Sequence, residues 1–242
     1  MAIKLLTLNI ENERHLERVH AAITEHLPDI VCLQEVFESD CAYLASSGRY
    51  DVKFSPSARL PRRIGPDRTW GVAVLTRVPV RRQIESHYAD DPAIRVLRKP
   101  NDARRVVVVT ELEHEGQLYR IATTHFTWTG DGHINEQQKA DFTRLERLLS
   151  HYSDYVLCGD FNAPRGREMF GRFVEELGLI DHLPASVTTT IDARFHYAGA
   201  LELVVDTIFS TPEYRLMETR VLEGISDHKG ILALVERRVG SA

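Results

Sequence analysis

The sequence predicts an α/β fold in which two packed sheets are flanked by helices. Short apolar runs typical of strands recur along the chain, whereas only three segments place apolar residues at helical spacing. Some of these segments alternate as strand, helix, strand. The chain has 242 residues, 43% of them hydrophobic, which is enough to bury a sizeable core in an undivided domain. We therefore expect a single domain over residues 1–242.

The N-terminal segments have the order strand, helix, strand. Residues 3–10 form an apolar run typical of a strand, and residues 12–27 follow as a helix that Pro28 ends. The apolar residues at helical spacing in this helix are Leu16, Val19, Ile23 and Leu27. Residues 30–33 are apolar throughout, which indicates a short strand buried on both faces of a sheet.

The middle of the chain is predicted to be rich in strands. They cover residues 51–55, 70–76, 80–87, 105–112 and 118–124. A turn at 114–117 joins the last two of these strands. Two loops interrupt the series, a basic one at 58–69 and a long one at 88–103. Long loops in compact domains are often functional.

The C-terminal part is predicted to contain two helices and four strands. The helices cover about 133–150 and 167–177, and Gly178 closes the second. The strands are expected at 155–160, around 188–190, at 201–210 and at 231–236.

Charge and cysteine content narrow the function only slightly. Thirty Lys and Arg against 35 Asp and Glu give a formal charge of -5, so the chain lacks the basic excess of a general nucleic-acid binder. Cys32, Cys41 and Cys158 have no metal-site spacing and are expected to be reduced thiols. The N-terminal apolar stretch is too short for a signal peptide, and no segment is long enough to span a bilayer. We expect a cytoplasmic protein without integral membrane association, and the sequence leaves its protein partners unknown.

Polar residues stand at the ends of the strand-like runs, where their side chains can enter a shared cleft. They are Asn9, Glu35, His125, Asp160, Asn162, Asp206, Asp227 and His228. Most have an ordinary explanation when taken singly, such as a helix cap or a turn. Asp206 is harder to dismiss, because it interrupts an apolar run and a buried carboxylate is costly unless it is paired. A histidine such as His228 is its natural partner.

The order of short motifs points to one family. TLN, LQE, GVAVLTRVP, THF, GDFN, VVDTIFS and SDH follow one another between Thr7 and about Leu232, and the set resembles the endonuclease/exonuclease/phosphatase superfamily. This resemblance implies a four-layer α-β-β-α sandwich, with two mixed, mainly antiparallel sheets packed face to face and helices outside. A calcineurin-like phosphoesterase would need an Asp-x-His near the first strand and a later Gly-Asn-His, and the sequence has neither.

The resemblance also implies the chemistry, a Mg²⁺-dependent hydrolysis of phosphoesters by an activated water. Glu35 is the first expected metal ligand, Asn9 and Asp227 are expected to assist it, and Glu11 is a weaker candidate. Magnesium prefers oxygen ligands, and manganese could replace it. Asp160 is expected to orient or deprotonate the water, and Asn162 to donate to a phosphate oxygen. His228, held by Asp206, and His125 are expected to act on the phosphate or the leaving group.

Three functions remain open at this point. The first is a nucleic-acid phosphodiesterase, in which loop arginines follow the phosphates while an aromatic residue stacks on a base. The residues predicted to do so are Arg59, Arg62, Arg63, Arg68, Arg98 and Trp128. The second is an enzyme that acts on an inositol phosphate, a lipid headgroup or another small phosphoester. The third is an inactive relative that serves as a scaffold, which the competent residue types at all the motif positions disfavour.

Overall fold

The computed structural model describes residues 2–61, 64–89 and 91–238. Within these ranges the chain forms twelve strands, arranged as two six-stranded sheets, and four α-helices. The two sheets pack face to face around a shared core, and the helices cover their outer faces. The predicted sandwich of two mixed, mainly antiparallel sheets with helices outside is confirmed.

The first sheet combines strands from the two ends of the described chain. In spatial order its strands are β11 (Tyr214–Leu222), β12 (Gly230–Arg237), β1 (Ile3–Asn9), β2 (Ile30–Phe37), β4 (Arg68–Thr76) and β3 (Asp51–Leu60). Strands β1 and β2 run parallel, and the other neighbouring pairs are antiparallel.

The second sheet comes from the middle of the chain. Its strands, again in spatial order, are β5 (Val80–His87), β6 (Val106–His114), β7 (Gln117–His125), β8 (Val156–Asp160), β10 (Asp206–Ser210) and β9 (Ile180–Asp181). Here β7 and β8 form the parallel pair. A parallel pair needs a crossover connection, which explains why each sheet has a helix between its two parallel strands.

The helices are α1 (Leu16–His26), α2 (Cys41–Ala45), α3 (Glu136–Leu149) and α4 (Glu168–Glu175). Asn135 caps the start of helix α3, because its side-chain oxygen accepts a hydrogen bond from the backbone N–H of Gln138 at 2.8 Å. Helices α1 and α2 pack on the first sheet, whereas α3 and α4 pack on the second, where Phe142 and Phe173 join a cluster of aromatic rings. Burying the apolar face of each helix completes the outer layers.

Several predicted boundaries were wrong. Residues 188–190 and 201–205 form no named strand, because Thr190 Oγ1 accepts hydrogen bonds from the N–H groups of Val205 and Asp206 and holds this part of the chain as a loop. The basic loop is shorter than predicted, because β3 continues to Leu60 and β4 begins at Arg68. The sequence interpretation missed β11, in which exposed charged residues obscure the strand pattern, and also the five-residue helix α2.

Candidate active site

The ends of four strands meet at one edge of the sandwich. Asn9 ends β1, while His125 and Asp160 end β7 and β8 as paired neighbours. Strand β10 runs in the opposite direction and begins at Asp206, opposite Asp160. His228 lies two residues before β12, next to β1. The topology therefore gathers these side chains from both sheets.

Gly159 allows β8 to approach β7 closely enough to form this edge. Its φ is +141°, a conformation that residues with a side chain rarely adopt, and an added Cβ would lie 2.0 Å from the carbonyl oxygen of Thr124. The glycine of the GDFN motif is thus required by the contact between the strands, and it places Asp160 beside His125.

A β-bulge in β2 presents Glu35 to the site. The register with β4 shifts between Leu33 and Val36, and Glu35 has a φ of +56°. Gln34 is buried between the sheets and donates to Thr123 Oγ1 on the other sheet at 3.2 Å. Because the bulge interrupts the alternation of side chains, Gln34 can tie the sheets together while Glu35 lines the cleft.

Asn9 links two of the carboxylates. Its Nδ2 donates to Asp160 Oδ2 at 3.0 Å and is 3.3 Å from Glu35 Oε1. Its Oδ1 accepts from the backbone N–H of Glu11 at 3.2 Å, which fixes the orientation of the amide. The predicted proximity of Asn9, Glu35 and Asp160 is thus present in the structure.

Two other carboxylates, those of Asp160 and Asp227, lie near Glu35. Burial raises the pKa of the Glu35 carboxyl to about 7; His228 and the hydrogen bond from Asn9 lower it, and Asp160 and Asp227 raise it. Glu35 Oε2 has no hydrogen-bond partner among the described residues, and Asp227 also lines the cleft. An oxygen-rich group of this kind fits a hard divalent cation.

Glu11 is less suited to bind a metal ion. One of its oxygens is bound by Arg14, and the other lies 3.1 Å from His15 Nε2. Both oxygens are therefore engaged by neighbours in the same segment of chain.

Asp206 and His228 form a buried couple. His228 Nδ1 lies 2.8 Å from Asp206 Oδ2 and 4.0 Å from Asp160 Oδ2. Burial opposes the charge of the imidazole, but Asp206, Asp160 and Asp227 outweigh it and raise the pKa of His228 well above its ordinary value. These three residues, Asp160, Asp206 and His228, are close enough to hold a metal ion, but the hydrogen bond already occupies Nδ1. The geometry favours a charged Asp–His couple.

His125 has the opposite electrostatic character. Its Nε2 lies 3.5 Å from Asp160 Oδ2 and 3.9 Å from Glu35 Oε1, and its ring meets Trp70 edge-on at 5.7 Å. Burial lowers the pKa of His125 to about 4, although Asp160 opposes this shift. At neutral pH His125 is thus neutral, whereas His228 favours the charged form.

Asn162 completes the GDFN turn. Its backbone N–H donates to Asp160 Oδ1 at 2.9 Å, and its side-chain Nδ2 donates to the carbonyl of Phe126 at 3.1 Å. The turn therefore holds Oδ1 of the Asp160 carboxylate, while Asn9 donates to Oδ2. Asn162 itself lines the cleft.

A cleft of about 730 Å³ opens above these residues. Arg98 and Trp128 line it, as predicted for substrate contacts. Arg59 and Arg68 are not among its lining residues. Arg68 is bound by Asp40 and lies over the Phe37 ring, and Arg59 lies 4.0 Å from Asp67. Arg62 and Arg63 lie outside the described residues.

The sequence interpretation missed several residues of the cleft wall. They are Trp70, Arg105, His196 and Tyr197. Arg105 is buried directly before the apolar strand β6. A charged residue next to such an apolar run was a signal in the sequence that this position could have a role in the site. His196 and Tyr197 lie in the 188–205 loop, which the sequence interpretation had assigned partly to strands.

Asp192 supports the segment that carries Asp227. Its carboxylate accepts hydrogen bonds from Arg194 and from the N–H of Gly224, and its own N–H donates to Asp227 O at 2.7 Å. The hydrogen bond from the Arg194 side chain is the main reason that the pKa of Asp192 is lowered to about 2. The stabilisation is therefore present above the unfolded-state pKa of about 4 and is lost as the pH falls towards 2.

Asp192→Asn is expected to lower the melting temperature at pH 7, and the difference from the parent should narrow below about pH 4. Thermal unfolding of both proteins between pH 7 and pH 3 measures this difference. A gap that stays constant over this range would show that the charge of Asp192 contributes nothing.

The comparison with known families decides the identity of the fold. The profile of the Endonuclease/Exonuclease/phosphatase family matches residues 6–228. The chain belongs to this family. Its members hydrolyse phosphodiesters or phosphate monoesters and generally depend on divalent metal ions.

Individual relatives within the family are distant. Nocturnin from Drosophila melanogaster is 25% identical over 150 residues, a match that spans 58% of this chain but only 22% of Nocturnin. A family protein from Bacteroides vulgatus has a TM-score of 0.76 at 19% identity and covers 98% of this chain and 100% of its own. The human Nocturnin catalytic domain with bound sulfate has a TM-score of 0.72 at 20% identity, and the match covers 98% of this chain and 94% of that domain. At these identities the two structures establish the family fold alone.

The helices give no indication of a membrane span. None of those in the described ranges is long and apolar enough to cross a bilayer.

Proposed function

We propose that the protein is a Mg²⁺-dependent phosphodiesterase that acts on nucleic acid. The observation that carries this proposal is the single cleft in which the Asn9–Glu35–Asp160 cluster faces the Asp206–His228 couple. The Asn9–Glu35–Asp160 cluster supplies two carboxylates, while the Asp206–His228 couple supplies a charged imidazole. Hydrolysis of a phosphodiester needs both an activated water and positive charge near the phosphate oxygens.

Glu35 is the principal metal ligand in this proposal, and Asn9 and Asp227 support it. We leave Glu11 out, because Arg14 and His15 engage its carboxylate. A bound Mg²⁺ would neutralise phosphate charge and would lower the pKa that burial raises at Glu35. Mn²⁺ prefers the same ligands and is expected to substitute.

The remaining residues act on the water and the phosphate. Asp160, held by Asn9 and by the N–H of Asn162, orients the attacking water and accepts its proton. His228 stabilises the developing phosphate charge, with Asp206 fixing its tautomer and charge. His125 is neutral and can donate a hydrogen bond near the phosphate or the leaving group. Asn162 is positioned to contact a phosphate oxygen once its side chain leaves Phe126 O.

Side chains suited to a nucleic-acid substrate line the cleft. Arg98 and Lys99 offer positive charge for neighbouring phosphates, and Trp128, 40% exposed, offers a ring face. The cytoplasmic location expected from the sequence would give access to such substrates.

A second candidate function is hydrolysis of a small phosphoester. The observation that favours it is the size of the cleft, about 730 Å³, which is within the range of small-molecule pockets. The net charge of -5 also offers no general attraction for a long polyanion.

A substrate panel separates the two functions. The protein would be incubated with Mg²⁺ and single-stranded DNA, duplex DNA, RNA, 5′-adduct DNA, inositol phosphates and sphingomyelin. We expect cleavage of at least one nucleic acid, loss of activity with EDTA and recovery with Mg²⁺ or Mn²⁺. Cleavage of only the non-nucleotide compounds would favour the second function, and full activity in EDTA would contradict the metal dependence.

A further inference from the structure

A chain of hydrogen bonds connects the backbone of His125 to Trp128 on the cleft wall. Arg105 Nη1 donates to His125 O at 3.3 Å, and Arg105 Nη2 donates to Asn101 Oδ1 at 2.8 Å. The Asn101 amide then binds the backbone of Trp128 at two points, accepting from its N–H at 3.2 Å and donating to its carbonyl at 2.9 Å. Asn101 therefore forms a bridge between two loops of the cleft.

Arg105 is an unusual residue at the base of this bridge. It is 3% exposed, and its hydrogen bonds go to neutral oxygens of His125, Pro100 and Asn101 rather than to a carboxylate. Burying a guanidinium is costly, and an apolar side chain would serve packing at least as well. An apolar residue could not donate hydrogen bonds to the Asn101 side chain and to the backbone of His125 at the same time.

Hydrogen bonds with Asn101 fix the backbone of Trp128, but its indole ring stays partly exposed to solvent. It is 40% exposed and lines the cleft, and a Cβ added at Gly130 would lie only 3.1 Å from its ring. The absence of a side chain at Gly130 thus leaves room for the indole. An exposed, backbone-anchored aromatic ring beside a catalytic cluster is suited to stack against a planar group.

We propose that Asn101 and Arg105 are positioning residues that hold Trp128 as a stacking platform for the base of a nucleotide next to the scissile phosphate. This inference rests on the proposed nucleic-acid substrate and assigns one base-binding position to it. Because Arg105 also donates a hydrogen bond to the backbone of His125, the same side chain fixes the position of Trp128 relative to the catalytic cluster. A pre-positioned ring loses less conformational freedom on binding than a mobile one.

Trp128 fluorescence tests the positioning without any substrate. The chain has two tryptophans, and Trp70→Phe removes the other one, whose buried indole N–H has no hydrogen-bond partner among the described residues. In this background Asn101→Ala is expected to raise the acrylamide quenching constant of Trp128 by about twofold or more, because the loop is released. Asn101→Asp should fall between the two, since its oxygen still accepts from Arg105 and from the N–H of Trp128 but no amide donates to the carbonyl of Trp128. Equal quenching in all three proteins would overturn the proposal.

Three dinucleotides test the role in recognition. Thymidylyl-thymidine is compared with two analogues that lack either the 5′ or the 3′ base. The parent is expected to lose about five- to hundredfold in kcat/KM when the stacked base is absent, and almost nothing when the other base is absent. Trp128→Ala and Asn101→Ala should lose this base dependence, and Asn101→Asp should retain part of it.

The outcomes separate this inference from the proposed function. If the Asn101→Ala variant discriminates between the dinucleotides as strongly as the parent, Asn101 does not position the platform. If the parent cleaves no dinucleotide or nucleic acid but cleaves another phosphoester, the base-binding role fails together with the nucleic-acid proposal, while the quenching result still decides whether Asn101 holds Trp128. Arg105 is not the first residue to replace, because losing a buried guanidinium could unfold the protein.

Discussion

Asp160→Asn is expected to lower kcat/KM for a generic aryl phosphodiester with Mg²⁺ by about a hundred- to ten-thousandfold. The substitution preserves the size of a side chain that is 2% exposed, but it removes the carboxylate that can accept the proton of water. It also places an amide opposite the donors of Asn9 and Asn162. The measurement is steady-state hydrolysis of bis(4-nitrophenyl) phosphate, with circular dichroism to verify the fold.

Asp51→Asn is the matched control. Asp51 is exposed at the start of an edge strand, far in sequence from the motifs, and it undergoes the same chemical change. Its activity should equal that of the parent. If Asp160→Asn also retained full turnover, the assigned catalytic centre would be wrong.

Glu35→Gln is expected to weaken Mg²⁺ binding by about a hundredfold and to abolish most of the metal-dependent activity. The physical reason is that glutamine retains an oxygen but loses the negative charge that holds the cation. Without metal, the variant should be at least as stable as the parent at pH 7, because burial already penalises the charged form of Glu35. A structural residue would behave differently, since its replacement would lower stability with or without metal.

Two measurements check this expectation. Calorimetric titration with Mg²⁺ gives the affinity, and melting curves with and without Mg²⁺ give the stabilisation by the bound ion, which should vanish in the variant. Glu25→Gln, on the exposed face of α1, is the control. A parent-like melting shift with Mg²⁺ in Glu35→Gln would show that the metal binds elsewhere.

Much of the fold was predictable because it follows from local patterns. Apolar runs such as residues 3–10 and 155–160 are buried on both faces, and such runs indicate strands whatever their partners. Prediction failed where side chains override these patterns. Thr190 binds two backbone N–H groups and keeps residues 201–205 out of the sheet, and no propensity reveals that contact.

The positions of the candidate site residues were also visible in the sequence, although their grouping was not. The sequence indicated Asp206 as a buried carboxylate that needs a partner, and the structure provides it in His228. The substrate contacts were predicted less well. Arg68 looked like a free cation in a basic loop, yet its guanidinium is bound by Asp40, nearly thirty residues earlier in the chain.

The sequence alone therefore determined the family and the residue types that stand at the strand ends, because short motifs and apolar runs are local properties of the chain. Only the tertiary structure decided which of these side chains meet. Two parallel strand pairs and a bulge at Glu35 bring distant segments to one edge, where burial lowers the pKa of His125 and the neighbouring carboxylates raise that of His228. Charge state and contact depend on neighbours far along the chain, so they exist only after folding.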